Sequence, residues 1–123
     1  MSQVHSKFKV FVGNPTADHS IGDLGKQIEA FVSDSKVAAK SIGIEYLEST
    51  QRLIMTLGYT DNQPHTPIKV DCVSLGKVDI AHDTIALERK MSEVADQHQN
   101  LICHELYITE ENEFFMVFMA ERS

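Results

Sequence analysis

The stretch that most constrains this chain is Leu101 to Ala120, LICHELYITEENEFFMVFMA, in which two apolar runs flank a polar turn. The second run, Phe114-Phe115-Met116-Val117-Phe118-Met119, offers no polar position to either side. Side chains alternate along a strand, so such a run must be covered on both faces. Glu110-Glu111-Asn112 reads as a three-residue hairpin loop, because asparagine accepts the left-handed conformation that closes one. With that loop, Glu105, Tyr107, Phe115 and Val117 share one face. Leu106, Ile108, Phe114, Met116 and Phe118 share the other with His104.

Upstream, Phe8-Lys9-Val10-Phe11-Val12 alternates as a strand does and stops at the turn signal Gly13-Asn14-Pro15. Ser20 with Asp23 resembles a capping box, and Ile21, Leu24, Ile28, Phe31 and Val32 then recur at helical spacing. Ser33-Asp34-Ser35 weakens the helix; residues 36–42 either continue it or form a short second helix ending at Gly43. Ile44–Ser49 and Arg52–Tyr59 read as a hairpin about Thr50-Gln51. That turn pairs Glu45 with Thr56 and Leu47 with Ile54, opposite Tyr46, Met55 and Leu57. Thr60–Thr66 is a linker. Ile68–Leu75 is a strand, Thr84–Gln99 a helix with Leu87, Met91, Val94, Ala95 and His98 in one stripe, and the C-terminal hairpin completes the chain.

Each half therefore reads strand-helix-strand-strand, over residues 7–60 and 67–120 of one domain spanning 1–123. Lys9-Val10 stands opposite Lys69-Val70. Leu24, Ile28, Phe31 and Val32 stand opposite Leu87, Met91, Val94 and Ala95, and Tyr46 and Met55 opposite Tyr107 and Met116. The expected fold is α+β: two βαββ repeats forming an antiparallel sheet with both helices on one face, the alternative being a ferredoxin-like or dimeric α+β-barrel variant. The other face must then line a groove or bury itself in a dimer.

In element order and hydrophobic pattern, Lys7 to Ala120 resembles the gyrase-inhibitor-like domains, which also serve as effector-binding domains of some transcription regulators. The resemblance implies binding of amphipathic, often cationic small molecules in a groove between the repeats, by aromatic rings and an acidic strand residue. Glu45 in GIEYLES matches that acid best, with Glu105 in CHELYIT second.

The candidate ligand-binding set is Glu45, Tyr46, Thr56, Glu105, Tyr107 and Phe115. A strand carboxylate among apolar neighbours is costly without a partner, so Glu45 and Glu105 read either as a ligand counter-ion or general base, or as edge carboxylates in water or paired with Arg52 or a lysine. Cys103, His104 and Glu105 cannot converge on one ion, since neighbouring strand residues point to opposite faces; His104 is expected in or near the core. No catalytic residue, metal site or cofactor is legible. Cys72 and Cys103 read as small buried thiols. A formal charge of −7, with no basic face visible, argues against nucleic acid as a partner and is compatible with a cationic ligand or with a bias toward solubility. No apolar run reaches the ~18 residues of a membrane span, and the start lacks a signal-peptide core, so a cytoplasmic location is expected. Three functions remain open: a small-molecule-binding domain, a homodimeric interaction module without a pocket, and a small α+β-barrel enzyme using a strand Glu, Tyr or His.

Overall fold

The computed structural model describes residues 6–13, 20–98, 100–109 and 111–122. The elements are β1 (Lys7–Val12), α1 (Ser20–Ser35), β2 (Ala38–Leu47), β3 (Arg52–Thr60), β4 (Ile68–Lys77), α2 (Thr84–Asp96), β5 (Leu101–Ile108) and β6 (Glu113–Glu121). This is an α+β fold with the strand-helix-strand-strand order in each half. The strands form two antiparallel three-stranded sheets, β1-β3-β2 and β4-β6-β5, with the most apolar strand of each half at the centre.

The first helix runs to Ser35, and Lys36 then takes a positive φ of 55°, the conformation by which chains leave helices. Residues 38–42 are strand, not helix. Their alanines favour helix, but Val37, Ala38, Ala39 and Ile42 are buried, and that burial outweighs an intrinsic preference of under about 1 kcal/mol per residue. The expected capping pair rests on the Ser20 side chain, outside the described residues, as do Asn14 and Pro15 of the expected turn. The second helix is capped by the Asp83 carboxylate, which accepts the Ala86 N–H at 3.1 Å, and it ends at Asp96.

In the first hairpin Leu47 pairs with Arg52 and Glu45 with Ile54, so the loop has four residues, 48–51, with Gln51 at φ 54°. The two-residue turn at Thr50-Gln51 is corrected, because neither residue is the Gly or Asn that such a turn prefers. The slip is by two partners, an even number, so every side chain keeps its expected face. The second hairpin has the expected register, Glu105 with Val117 and Tyr107 with Phe115, and Asn112 sits at φ 63°. Glu110 lies outside the described residues.

How the halves meet differs from one sheet backed by two helices. On the β4-β6-β5 sheet, α2 covers the face of Phe114, Met116, Phe118 and Ala120 through Leu87 and Val94. The opposite face, with Val117 and Met119, belongs to a second cluster built from Leu24, Ile28 and Val32 of α1 and from Phe11, Leu53, Met55 and Leu57 of the first sheet. β2 lies alongside β5, and α1 runs beside β4. There the Val70 N–H donates to Glu29 Oε2 at 3.0 Å, and Arg122 Nη2 donates to Glu29 Oε1 at 2.9 Å. The both-sided run 114–119 is thus covered by α2 on one side and the first half on the other, as its apolarity demands.

Candidate interaction surface

Among the described residues, covering both faces of the second sheet leaves one sheet face open, and it belongs to the first. Its three cross-strand rows are Phe8–Gly58–Ser41, Val10–Thr56–Gly43 and Val12–Ile54–Glu45. Phe8, Val10 and Val12 are 71%, 58% and 49% exposed. In a one-sided antiparallel sheet apolar residues turn inward and charged ones outward; in β1 only Phe11 turns inward and is buried, while three apolar side chains point outward. Lys7 and Lys9 lie on the helix side. The Lys7 ammonium bonds the Asp61 carboxylate, and Lys9 Nζ sits 5.9 Å and 5.4 Å from the ring centres of Phe11 and Phe31.

The face is ridged at one edge and hollow across its middle. A Cβ at Gly58 would lie 2.3 Å from Ser41 Oγ and 3.3 Å from the Phe8 ring, and one at Gly43 would lie 2.7 Å from Thr56 Oγ1. A side chain at either point would have to displace these hydroxyls, so over the first two rows β1 stands above a floor of small residues on β3 and β2. Arg52, at the hairpin end, donates from Nη1 to Gly13 O at 3.3 Å, which draws it toward the end of β1.

The six residues proposed from sequence divide among three places. Glu45 and Thr56 lie on the open face, one row apart, and Glu45 is solvent-exposed. Tyr46 pairs with Leu53 on the helix side of the same sheet. Glu105, Tyr107 and Phe115 lie on the second sheet's inner face, with the Tyr107 and Phe115 rings 6.5 Å apart. They form no single site.

Matching Tyr46 with Tyr107 is also corrected. By ladder position Tyr107 corresponds to Glu45, because the two hairpin loops differ by one residue. His104 is exposed on the α2 side rather than near the core. Phe8, Val10 and Val12 went unselected, although their alternation with Lys7 and Lys9 was visible. The pattern shows two unlike faces without saying which one meets the helix.

At the β2–β5 junction a cavity of about 160 Å³ is lined by Ala38, Ala39, Lys40, Pro64, Ile68 and Glu121, among others. Among the described residues no three His, Cys, Asp or Glu side chains gather as metal ligands, and no helix is long and apolar enough to cross a membrane.

Burial pushes both thiols up to about 11, helped at Cys72 by the Asp71 charge and at Cys103 opposed by the Ile42 N–H. Above the ordinary value near 9 the unfolded chain loses these protons first, so the native state then holds more of them. Stability is therefore full below about pH 9 and declines as pH rises toward 11. Urea midpoints at pH 8 and pH 10 should separate further in the wild type than in a Cys72→Ala, Cys103→Ala variant. Equal separations would refute the thiol contribution.

No protein-family model, curated protein or solved structure matches this chain.

Proposed function

We propose that this chain is a protein-interaction module whose working surface is the open face of the first sheet. The observation that carries the reading is the outward apolar row of β1, Phe8, Val10 and Val12, which stands in solvent while only Phe11 of the same strand enters the core. Leaving contiguous apolar surface in water is unfavourable by about 25 cal/mol per Å², and extended patches of this kind commonly mark contact sites.

The small-molecule reading has less support. The sheet face expected to line its groove is filled, in the second half, by α1 and the first sheet. The junction cavity falls short of the ~300–1,000 Å³ usual for ligand pockets. The enzyme reading looks for a strand Glu, Tyr or His buried beside a cleft; Glu105 and Tyr107 share a face, while His104 lies exposed on the opposite one.

The test is a pair of substitutions, Phe8→Ser and Val10→Lys, studied at sub-micromolar protein. If the face is a docking surface and not part of the core, both variants keep their melting temperature within about 2 °C of wild type, as surface changes within ~0.5 kcal/mol do. Both should also lose most of the fluorescence of a bound hydrophobic dye. A fall in melting temperature of the size caused by core substitutions would mean that the ridge is structural, and the reading would fail.

A further inference from the structure

We infer that the occupant of the open face is a second copy of this chain, joined by a twofold axis that runs parallel to the strands between two facing first sheets. This rests on the interaction-module reading and names its partner. Three observations lead to it.

The first is shape. The face carries a ridge, Phe8, Val10 and Val12, along one edge and, along the other, a hollow at Ser41 and Gly43 that ends at the exposed Glu45 by the hairpin, with β3 between. A twofold axis parallel to the strands places Phe8 and Val10 of each copy over the Ser41 and Gly43 hollow of the other, with Val12 beside the Glu45 stem at the rim, where the carboxylate keeps to water. It also sets Ile54 and Thr56 against their own counterparts. An axis across the strands would instead set ridge on ridge. The face is self-complementary in the first arrangement only, as an isologous contact requires.

The second is what the helices exclude. Within one chain, α1 approaches β4 closely because Gly25 presents no side chain; even a Cβ there would lie 3.1 Å from Val70 Cγ1. Val70 occupies in the second sheet the ladder position that Phe8 occupies in the first. A head-to-tail chain of copies would need α2 of one molecule to sit on the next molecule's open face as α1 sits beside β4. At the position matching Gly25, α2 carries Glu88, and Ile85, Glu88 and Arg89 are exposed around it. Although Ile85 is apolar, Glu88 stands where a glycine is needed and Arg89 beside it is charged, so open-ended stacking through α2 is disfavoured and a closed pair remains.

The third is area. A face three strands wide and three rows deep is small, so two of them meet at the low end of specific interfaces, about 1,000–1,200 Å², which fits a dimer that forms at micromolar and higher concentrations. Both copies carry a formal charge of −7, so added salt strengthens the pairing by screening their repulsion.

Sedimentation of the intact chain across about 1 to 300 µM reads the association, and single cysteines read the axis. The dimer fraction should rise over that range, and Val10→Lys and Ile54→Lys should each weaken the dimer at least about tenfold, because each buries an unpaired charge. A bismaleimide spanning about 10 Å, the usual separation of packed sheets, should couple Ile54→Cys chains to each other and leave Val10→Cys chains uncoupled. Wild type is the blank, since its two half-buried thiols are pushed up to about 11 and are little ionised at pH 7.

A wild type that stays monomeric at 300 µM, on the order of the concentrations where weak dimers form, would overturn the second-copy inference alone, leaving the dye and melting experiment to judge the interaction reading. Coupling through position 10 but not 54 would overturn the axis. A dimer that both lysine variants leave intact would place the contact elsewhere and remove both proposals.

Discussion

Phe118→Ala should cost about 3–5 kcal/mol, enough to unfold much of the population at 37 °C if this domain has the ordinary 5–15 kcal/mol of stability. Phe118 is fully buried on the central strand of the second sheet, where its ring lies 4.6 Å from that of His98 and packs in the cluster beneath α2. Its neighbour Val117, equally buried, points the other way into the cluster shared with the first half. Removing the ring leaves a cavity between a sheet and a helix that are each tied down elsewhere, so collapse cannot fill it. Val117→Ala deletes less volume and should cost about 1–3 kcal/mol, through the contact between halves. Urea denaturation with equal slopes for all three proteins is the measurement. A Phe118→Ala cost below that of Val117→Ala would mean that the α2 layer contributes little.

Gly25→Leu should be the most damaging change on a helix surface, at about 1–3 kcal/mol, because it drives α1 away from β4. The Cβ alone would crowd Val70 Cγ1 at 3.1 Å, with the Val70 carbonyl oxygen already in contact at 3.5 Å, so the further atoms of a leucine find strand backbone in their way. Displacing α1 also lengthens the bond from the Val70 N–H to Glu29, which satisfies an outward-facing donor of edge strand β4. Gly22 is the control. A Cβ there meets nothing within 4 Å, so Gly22→Ala should stabilise the protein by about 0.5–1 kcal/mol through helix propensity alone. Gly25→Ala falls between, its propensity gain set against crowding. If Gly25→Leu and Gly22→Leu behave alike, α1 does not depend on close approach to β4.

These expectations draw on features of unequal visibility. The register of the C-terminal hairpin was readable because one residue, Asn112, chooses the loop, and the loop then sets every pair from Ile108–Phe114 back to His104–Phe118. The faces of the first hairpin were readable despite a wrong loop length, because parity and not register decides facing. Residues 36–42 were misread because their composition suits a helix and only their burial makes them strand. The candidate site fared worst. Glu45 and Glu105 stood out as charges in apolar runs, yet by ladder position Glu105 corresponds to Gly43, and Glu45 to Tyr107.

What the sequence determined by itself is everything local periodicity carries: the order of strands and helices apart from residues 36–42, the two-sided burial of residues 114–119, and which side chains share a face. Tertiary structure alone decided which of those faces meet. Strand alternation distinguishes two sides of β1 but is indifferent to exchanging them, and the exchange was settled by α1 filling the angle between two sheets. That geometry encloses the second sheet and leaves Phe8, Val10 and Val12 as the surface still to be covered.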